Sequence, residues 1–307
     1  MKAILTGDPL TWQLDSDSAV TIGVFDGVHL GHQAVMGEMV AEAKRSNLVP
    51  VALTFDPHPL EFINPEKAPK ILTTTEQRAE RLAECGVEIM GVLPFLEIRD
   101  LTPAAFAGEI LSSRCRARTV TIGEDFRFGI GRSGTPTELA TQGERLGFGV
   151  EVVKMVSHGA VISSTAIRRL VLTGRVEEAT ELLGRPHEIR GRVIHGDGRG
   201  KTIGYPTANL HIPERIAIPA DGVYAVVCVI GGTEHPALVN IGVRPTFGFD
   251  TRTTEVHVLD LDKELYGEEL GVRFIQRLRD EIRFDSIEEL IAQLDADVEA
   301  GRRILGR

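Results

Sequence analysis

A chain of 307 residues with 42% hydrophobic content can bury a full core, and by length it is expected to hold two domains. Its formal net charge of −10 argues against a protein that wraps nucleic acid nonspecifically, while leaving room for local Lys and Arg around phosphate groups. Cys85, Cys115 and Cys228 form neither a CxxC metal pattern nor a disulfide framework, which points to a reducing cytoplasm. No signal-peptide core is visible near Met1, and the longest apolar run, around Val223 to Ile230, is too short to span a bilayer.

In chain order, the alternation of Val20, Ile22 and Val24 predicts a strand, and Val35, Met36, Met39, Val40 and Ala43 mark one apolar face of a helix. Between them runs Gly23-Val24-Phe25-Asp26-Gly27-Val28-His29-Leu30-Gly31-His32. Gly23, Gly27 and Gly31 let the backbone approach a ligand, and the helix start turns free N–H groups and the positive dipole end towards it. His29 and His32, one turn apart, can offer ring N–H donors to the same phosphate. A turn that merely carries two histidines is the plain alternative, but strand, glycines and helix onset together favour an anion site.

Val49 to Phe55 is the next predicted strand, stopped by Asp56-Pro57-His58-Pro59. A polar helix follows from Thr75 to Cys85, bearing Arg78 and Arg81, then a strand from Val87 to Leu93 and a helix from Pro103 to Leu111 capped by Thr102. Thr119 to Ile122 runs into Gly123-Glu124-Asp125-Phe126-Arg127-Phe128-Gly129, and Val150 to Val156 is a last strand before Ser163-Ser164-Thr165-x-x-Arg168. Strands alternating with helices imply a parallel, doubly wound sheet, whose ligand crevice lies beyond the C-terminal strand ends, where these motifs fall. Gly129-x-Gly131-x-x-Gly134 imitates a dinucleotide fingerprint, with Glu151 at the expected distance, but its glycines do not directly follow a strand, so it is read as a loop over the site.

The pattern changes at Leu183-Gly184-Arg185-Pro186, giving expected domains of 1–185 and 186–307. Short strands are predicted at Gly191 to Ile194, Val223 to Ile230, Ala237 to Ile241, Thr254 to Leu261 and Val272 to Leu278, a spacing that suits a small barrel or sandwich. On the fourth, Val256 and Val258 face one way, Glu255 and His257 the other. A terminal helix begins at Ser286, with Glu289 completing a capping box and Ile287, Leu290, Ile291, Leu294 and Val298 forming the apolar stripe. The glycine-rich arc Gly196-Asp-Gly198-Arg-Gly200-Lys201-Thr202 ends like a P-loop but lacks its first glycine, since position 195 is His195; it could still cradle phosphate through backbone N–H groups.

His29-x-Gly31-His32 resembles the signature of the nucleotidylyltransferase superfamily, and the longer Gly23 to His32 stretch resembles its flavin branch, the bacterial bifunctional riboflavin kinases and FMN adenylyltransferases. The resemblance implies an α/β fold class: an N-terminal doubly wound parallel-sheet nucleotidylyltransferase domain and a C-terminal small β-barrel with a terminal helix. It implies catalytic roles for His29 and His32, ATP binding by Gly23, Phe25, Gly31, Ser163, Ser164, Thr165 and Arg168, and flavin contacts at His58, Asp125, Phe126 and Phe128. In the second domain Pro206-Thr207-Ala208-Asn209 resembles the riboflavin kinase motif, in which Thr207 and Asn209 would hold Mg²⁺ with the nucleotide phosphates. Gly196, Gly198, Gly200, Lys201 and Thr207 would meet ATP, Glu255 would be catalytic, and Arg279 would meet flavin. Riboflavin, FMN and ATP are the implied partners, with no nucleic acid or membrane; whether the chain is a homo-oligomer stays open. Two rivals are a nucleotidylyltransferase for another phosphate ester and a flavin sensor without turnover, the latter leaving His29, His32, Thr207, Asn209 and Glu255 unexplained.

Overall fold

The computed structural model describes residues 1–154, 162–196, 200, 203–246 and 249–306. The chain forms two compact units, Met1–Ser164 and Thr165–Arg307.

The first unit is a parallel sheet of six strands: β1 (Ala3–Leu5), β2 (Ser18–Ile22), β3 (Val49–Phe55), β4 (Ile89–Leu93), β5 (Ala117–Gly123) and β6 (Gly149–Val153), in the order β1-β4-β3-β2-β5-β6. Both faces are covered. Val20, Ile22, Val51 and Leu53 enter one core, while Ala19 and Ala52 face Met36, Met39, Val40 and Ala43 of α1 (Leu30–Arg45) and Leu82 of α2 (Thr75–Glu84) on the other. Four of the five residues expected on the apolar face of α1 are buried. Thr74 caps α2 through a reciprocal box with Gln77, whose N–H donates to Thr74 Oγ1 at 3.2 Å.

Thr102 caps the helix that begins at Pro103, as expected, but the chain continues past Leu111 to Arg114 in wide turns, the Cys115 N–H reaching back to the Ile110 carbonyl at 2.9 Å. The predicted sheet lacked β1 and the helix α3 (Pro136–Leu146). The chain visits β3 on one side of β2 and β5 on the other, so the sheet's switch point lies beside the end of β2.

The second unit opens with α4 (Ser164–Leu172) and α5 (Val176–Leu183), so these helices group with the barrel, ahead of the expected boundary at Arg185. Within this unit Glu177 of α5 accepts the Arg277 N–H at 3.1 Å. Between barrel and sandwich the structure selects a closed barrel: β7 (Glu188–Ile194), β8 (Ala208–His211), β9 (Gly222–Ile230), β10 (Thr233–Thr246), β11 (Phe249–Val258) and β12 (Glu269–Arg279), in the order β10-β11-β8-β7-β12-β9. Val256 and Val258 are buried and Glu255 and His257 are half-buried on the opposite face, as the period of two requires.

The terminal helix α6 (Ile287–Leu305) is capped by Ser286, which accepts the Glu289 N–H at 3.2 Å; Glu289 accepts the Asp285 N–H, one residue beyond the Ser286 N–H that the expected reciprocal box would use. Ile287, the first residue of the helix, is 61% exposed and does not belong to the stripe.

Candidate active sites

In the sheet unit, the turn after β2 carries the histidines. Its backbone is unusual: Phe25, Gly27 and Val28 all have positive φ, at 50°, 80° and 40°. His29 is the N-cap of α1, its Nδ1 accepting the His32 N–H at 3.3 Å, so the proton of a neutral His29 ring sits on Nε2. The two rings stack at 3.6 Å, and His32 meets the Phe25 ring edge-on at 5.2 Å. Burial, then the charges of His29 and Arg78, hold His32 well below its ordinary 6.5, so it is a neutral imidazole with a single N–H to offer. Its Nδ1 is shielded from solvent and has no hydrogen-bond partner among the described residues.

Phe25 supports this turn rather than facing outward: it is 3% exposed, and a Cβ at Gly23 would stand 2.7 Å from its ring. Gly31 is needed for a similar reason, since a Cβ there would press on the His29 ring at 3.2 Å.

Three further motifs reach the same sheet edge, because parallel strands all end there. After β3, a cis Asp56-Pro57 bond leads to His58, whose Nδ1 accepts the Leu60 N–H at 3.1 Å. After β5, Asp125 is exposed and Phe126 half-buried, while Phe128 is 6% exposed in the core, stacked on Phe126 at 5.6 Å. Gly129 and Gly134 close this loop on itself, the Gly134 N–H donating to the Phe128 carbonyl at 2.9 Å; β5 ends at Gly123, so the glycines do not directly follow the strand, in keeping with the rejected dinucleotide motif. After β6, Ser163 is half-buried and the Ser164 hydroxyl donates to the Asp26 carbonyl at 2.9 Å, so it is occupied in bracing the histidine turn. Thr165 is exposed and Arg168 half-buried, one turn on along α4 in the second unit.

The barrel unit holds a cavity of about 260 Å³. It is lined by polar side chains, Thr207, Asn209, Asn240, Glu255 and His257, and by apolar ones, Ile282, Phe284, Leu290, Leu294 and Val298, the last three on α6. Glu255 and Asn209 are directly paired across β11 and β8, and the Thr207 hydroxyl donates to Glu255 Oε2 at 3.3 Å. His257 Nδ1 lies 2.8 Å from the Pro206 carbonyl, which fixes that proton on Nδ1 and leaves Nε2 as an acceptor. Gly200 lines the cavity and a Cβ on it would run into the Tyr205 carbonyl; one on Gly196 would run into the Asn209 amide. Gly198 and Lys201 lie outside the described residues.

Arg279 also lines the cavity, but its guanidinium is gripped by Asp297 of α6, with Nε and Nη2 donating at 3.0 and 2.7 Å and the ring of Phe284 at 6.0 Å. Asp297, 4% exposed, was not singled out in the sequence: an acid in a terminal helix has no local mark of burial. The hydroxyl of Tyr205 donates to Asp295 of the same helix, an interaction that pushes its pKa up to about 12.

Among the described residues no group of three or more His, Cys, Asp or Glu could hold a metal ion. The Thr207 hydroxyl and the Asn209 amide oxygen instead line one cavity beside Glu255, which fits a hard divalent cation that keeps water and takes its remaining ligands from phosphate.

A histidine-capped helix start beside the switch point of a parallel sheet, and a barrel cavity that gathers a carboxylate with hydroxyl and amide oxygens, suit a nucleotide-using transferase. Residues 12–166 match the FAD synthetase family and residues 183–305 the riboflavin kinase family. The chain is 40% identical to the bifunctional riboflavin kinase/FMN adenylyltransferase of Listeria monocytogenes, over 100% of this chain and 99% of the relative. It is 39% identical to that of Escherichia coli over 94% and 92%. A crystal structure described as a macrolide-efflux protein from Streptococcus pneumoniae superposes with a TM-score of 0.90 at 34% identity, covering 98% of this chain and 99% of that one. Among the described residues no helix is long and apolar enough to cross a membrane. The chain belongs to the family of bifunctional riboflavin kinases/FMN adenylyltransferases.

Proposed function

We propose that the chain makes FMN in its barrel unit, from riboflavin and ATP, and FAD in its sheet unit, from FMN and a second ATP with release of pyrophosphate. Assigning the adenylyltransferase to 1–185 and the kinase to 186–307 is supported by the family matches over residues 12–166 and 183–305. The observation that carries it is the cavity of about 260 Å³ that brings Thr207, Asn209 and Glu255 together with Ile282, Phe284, Leu290, Leu294 and Val298.

In the kinase step Glu255 orients the terminal ribityl hydroxyl and takes up its proton as the oxygen attacks the γ-phosphate. Arg279, held by Asp297, lines the same cavity and would meet the flavin there. Bound Mg²⁺ would be held by the Thr207 hydroxyl and the Asn209 carbonyl oxygen, supplying charge neutralisation at the phosphates. In the adenylyl step the FMN phosphate displaces pyrophosphate from the α-phosphate of ATP, and His29 Nε2–H and the neutral His32 donate to phosphate oxygens as charge builds. Asp125 and Phe126 face the flavin, with Phe128 as the buried support of Phe126. Cytoplasmic location suits Cys115 and Cys228, whose thiols burial pushes up to about 12 and so leaves unreactive.

Incubation with riboflavin and MgATP, with products resolved by chromatography, should yield FMN and then FAD. Excess EDTA should stop both steps, and a zinc-selective chelator neither. Full turnover in EDTA would remove Mg²⁺ from this reading, and indifference to riboflavin would leave only an adenylyltransferase.

A further inference from the structure

The histidine turn holds a conformation that its residues disfavour. Phe25 and the β-branched Val28 both sit at positive φ, where a side chain crowds the backbone, so something outside the turn must hold it. The two residues between them, Asp26 and Gly27, are tied to a segment some way along the chain. The buried Asp26 carboxylate accepts the Leu72 N–H at 2.9 Å, the Thr73 N–H at 3.1 Å and the Thr73 hydroxyl at 3.3 Å. The Gly27 N–H in turn donates to Thr73 Oγ1 at 3.1 Å. One hydroxyl thus grips the turn at two consecutive residues, and His29 follows directly. A second tie comes from the same direction: Arg78, 2% exposed, donates from Nη1 to Thr54 Oγ1 at 3.0 Å, and Thr54 donates to the Val24 carbonyl at 2.8 Å.

We propose that Thr73 is a positioning residue of the adenylyl-transfer site: with Asp26 it locks the strained turn so that His29 and His32 are already aimed when ATP arrives. The inference rests on the histidines acting in that step. Thr73 is 6% exposed and is not itself a catalytic residue. Its role is to prevent a displacement of the donors of the kind that costs about 10²-fold per ångström.

The test uses the full chain, in which the kinase step reports on folding. Thr73→Val keeps the shape and removes the hydroxyl, and Asp26→Asn breaks the same tie from the other side by offering an amide N–H₂ to backbone donors. Both should lower kcat for FAD formation from FMN by about tenfold or more, with KM for ATP within about threefold and FMN formation within about twofold of the parent. Thr73→Ser should restore kcat to within about threefold, which mere loss of packing would not do. Retention of kcat by Thr73→Val or Asp26→Asn, or a Thr73→Ser as slow as Thr73→Val, overturns the proposal. His32→Ala, run alongside, separates the two readings: if it leaves FAD formation intact the histidine site itself falls and the lock with it, whereas if it alone is slow only the lock falls.

Discussion

In the sheet unit the proposed reacting groups stand on a turn, whereas in the barrel unit they stand on strands. His29 and His32 occupy the first turn of α1, at a backbone with positive φ on both sides of Asp26-Gly27, and their placement depends on hydrogen bonds from distant segments. Glu255 and Asn209 face each other across a regular ladder, where the sheet itself fixes the spacing. The turn offers dipole and N–H groups to an anion, which suits a step driven by electrostatic stabilisation. The ladder offers a rigid wall for a carboxylate and cation ligands, and α6 closes it with an apolar face. If the comparison holds, changes in one unit should leave the other's product untouched.

The largest effect is expected from Glu255→Gln, which keeps shape and removes the charge that takes up the ribityl proton. FMN formation should fall by about 10³-fold while FAD formation from added FMN persists. Both steps failing in a protein with a normal melting curve would show that the sites are not independent.

His32→Ala should come next, slowing FAD formation by about 10²-fold and letting FMN accumulate. The pH dependence sharpens this. Because the folded pKa of His32 is depressed below 6.5, the unfolded chain takes up a proton there before the folded one does. Stability therefore falls as pH drops below about 6.5 and is unaffected above it. Melting between pH 7.5 and pH 5.5 should drop less in His32→Gln than in the parent; an equal drop would mean that His32 is charged in the fold.

Asp297→Asn removes the acid that grips Arg279. The barrel unit should lose about 2 kcal/mol, since Arg279 keeps a partly exposed guanidinium and some solvent compensation. KM for riboflavin should rise by about tenfold with KM for ATP unchanged, measured in the kinase step. A rise in KM for ATP instead would put Arg279 on the nucleotide side.

What could be read from the sequence divides along the same line. Strands and α1 carried their periodicity openly, and the histidine turn announced itself through local spacing. The supports did not. Arg78 reads as one more charge on a polar helix, and only the fold shows that its helix starts beside the ends of β2 and β3, where it is 2% exposed. Asp26 and Thr73 are far apart in the chain and look like ordinary turn and cap residues. Phe128 and Phe126 alternate, so one must face inward, but which one depends on the loop closing between Phe128 and Gly134. The short strand β8 was hidden by Pro206 and by its own four residues, though it carries Asn209.

The smallest effect is expected at a tie between two segments that line the kinase cavity. Tyr205 precedes Thr207 and its hydroxyl donates to Asp295 on α6, at a site open to solvent, where such a bond is worth less than about 1 kcal/mol. Tyr205→Phe should therefore leave melting and kcat near the parent's at pH 7. The difference appears at high pH. Hydrogen bonding to Asp295, then burial, raises the folded pKa from 10.0 to about 12, so the folded state keeps a proton that the unfolded state loses. The stabilisation is complete below pH 10 and is lost as pH rises towards 12. Absorbance titration of the three tyrosines should show two late-ionising phenols in the parent, Tyr205 and Tyr224, the latter raised by burial, and one in Tyr205→Phe. A Tyr205 that ionises near 10 would mean that helix and arc are not tied, and that the barrel's rigidity comes from the ladder and the Arg279–Asp297 pair alone.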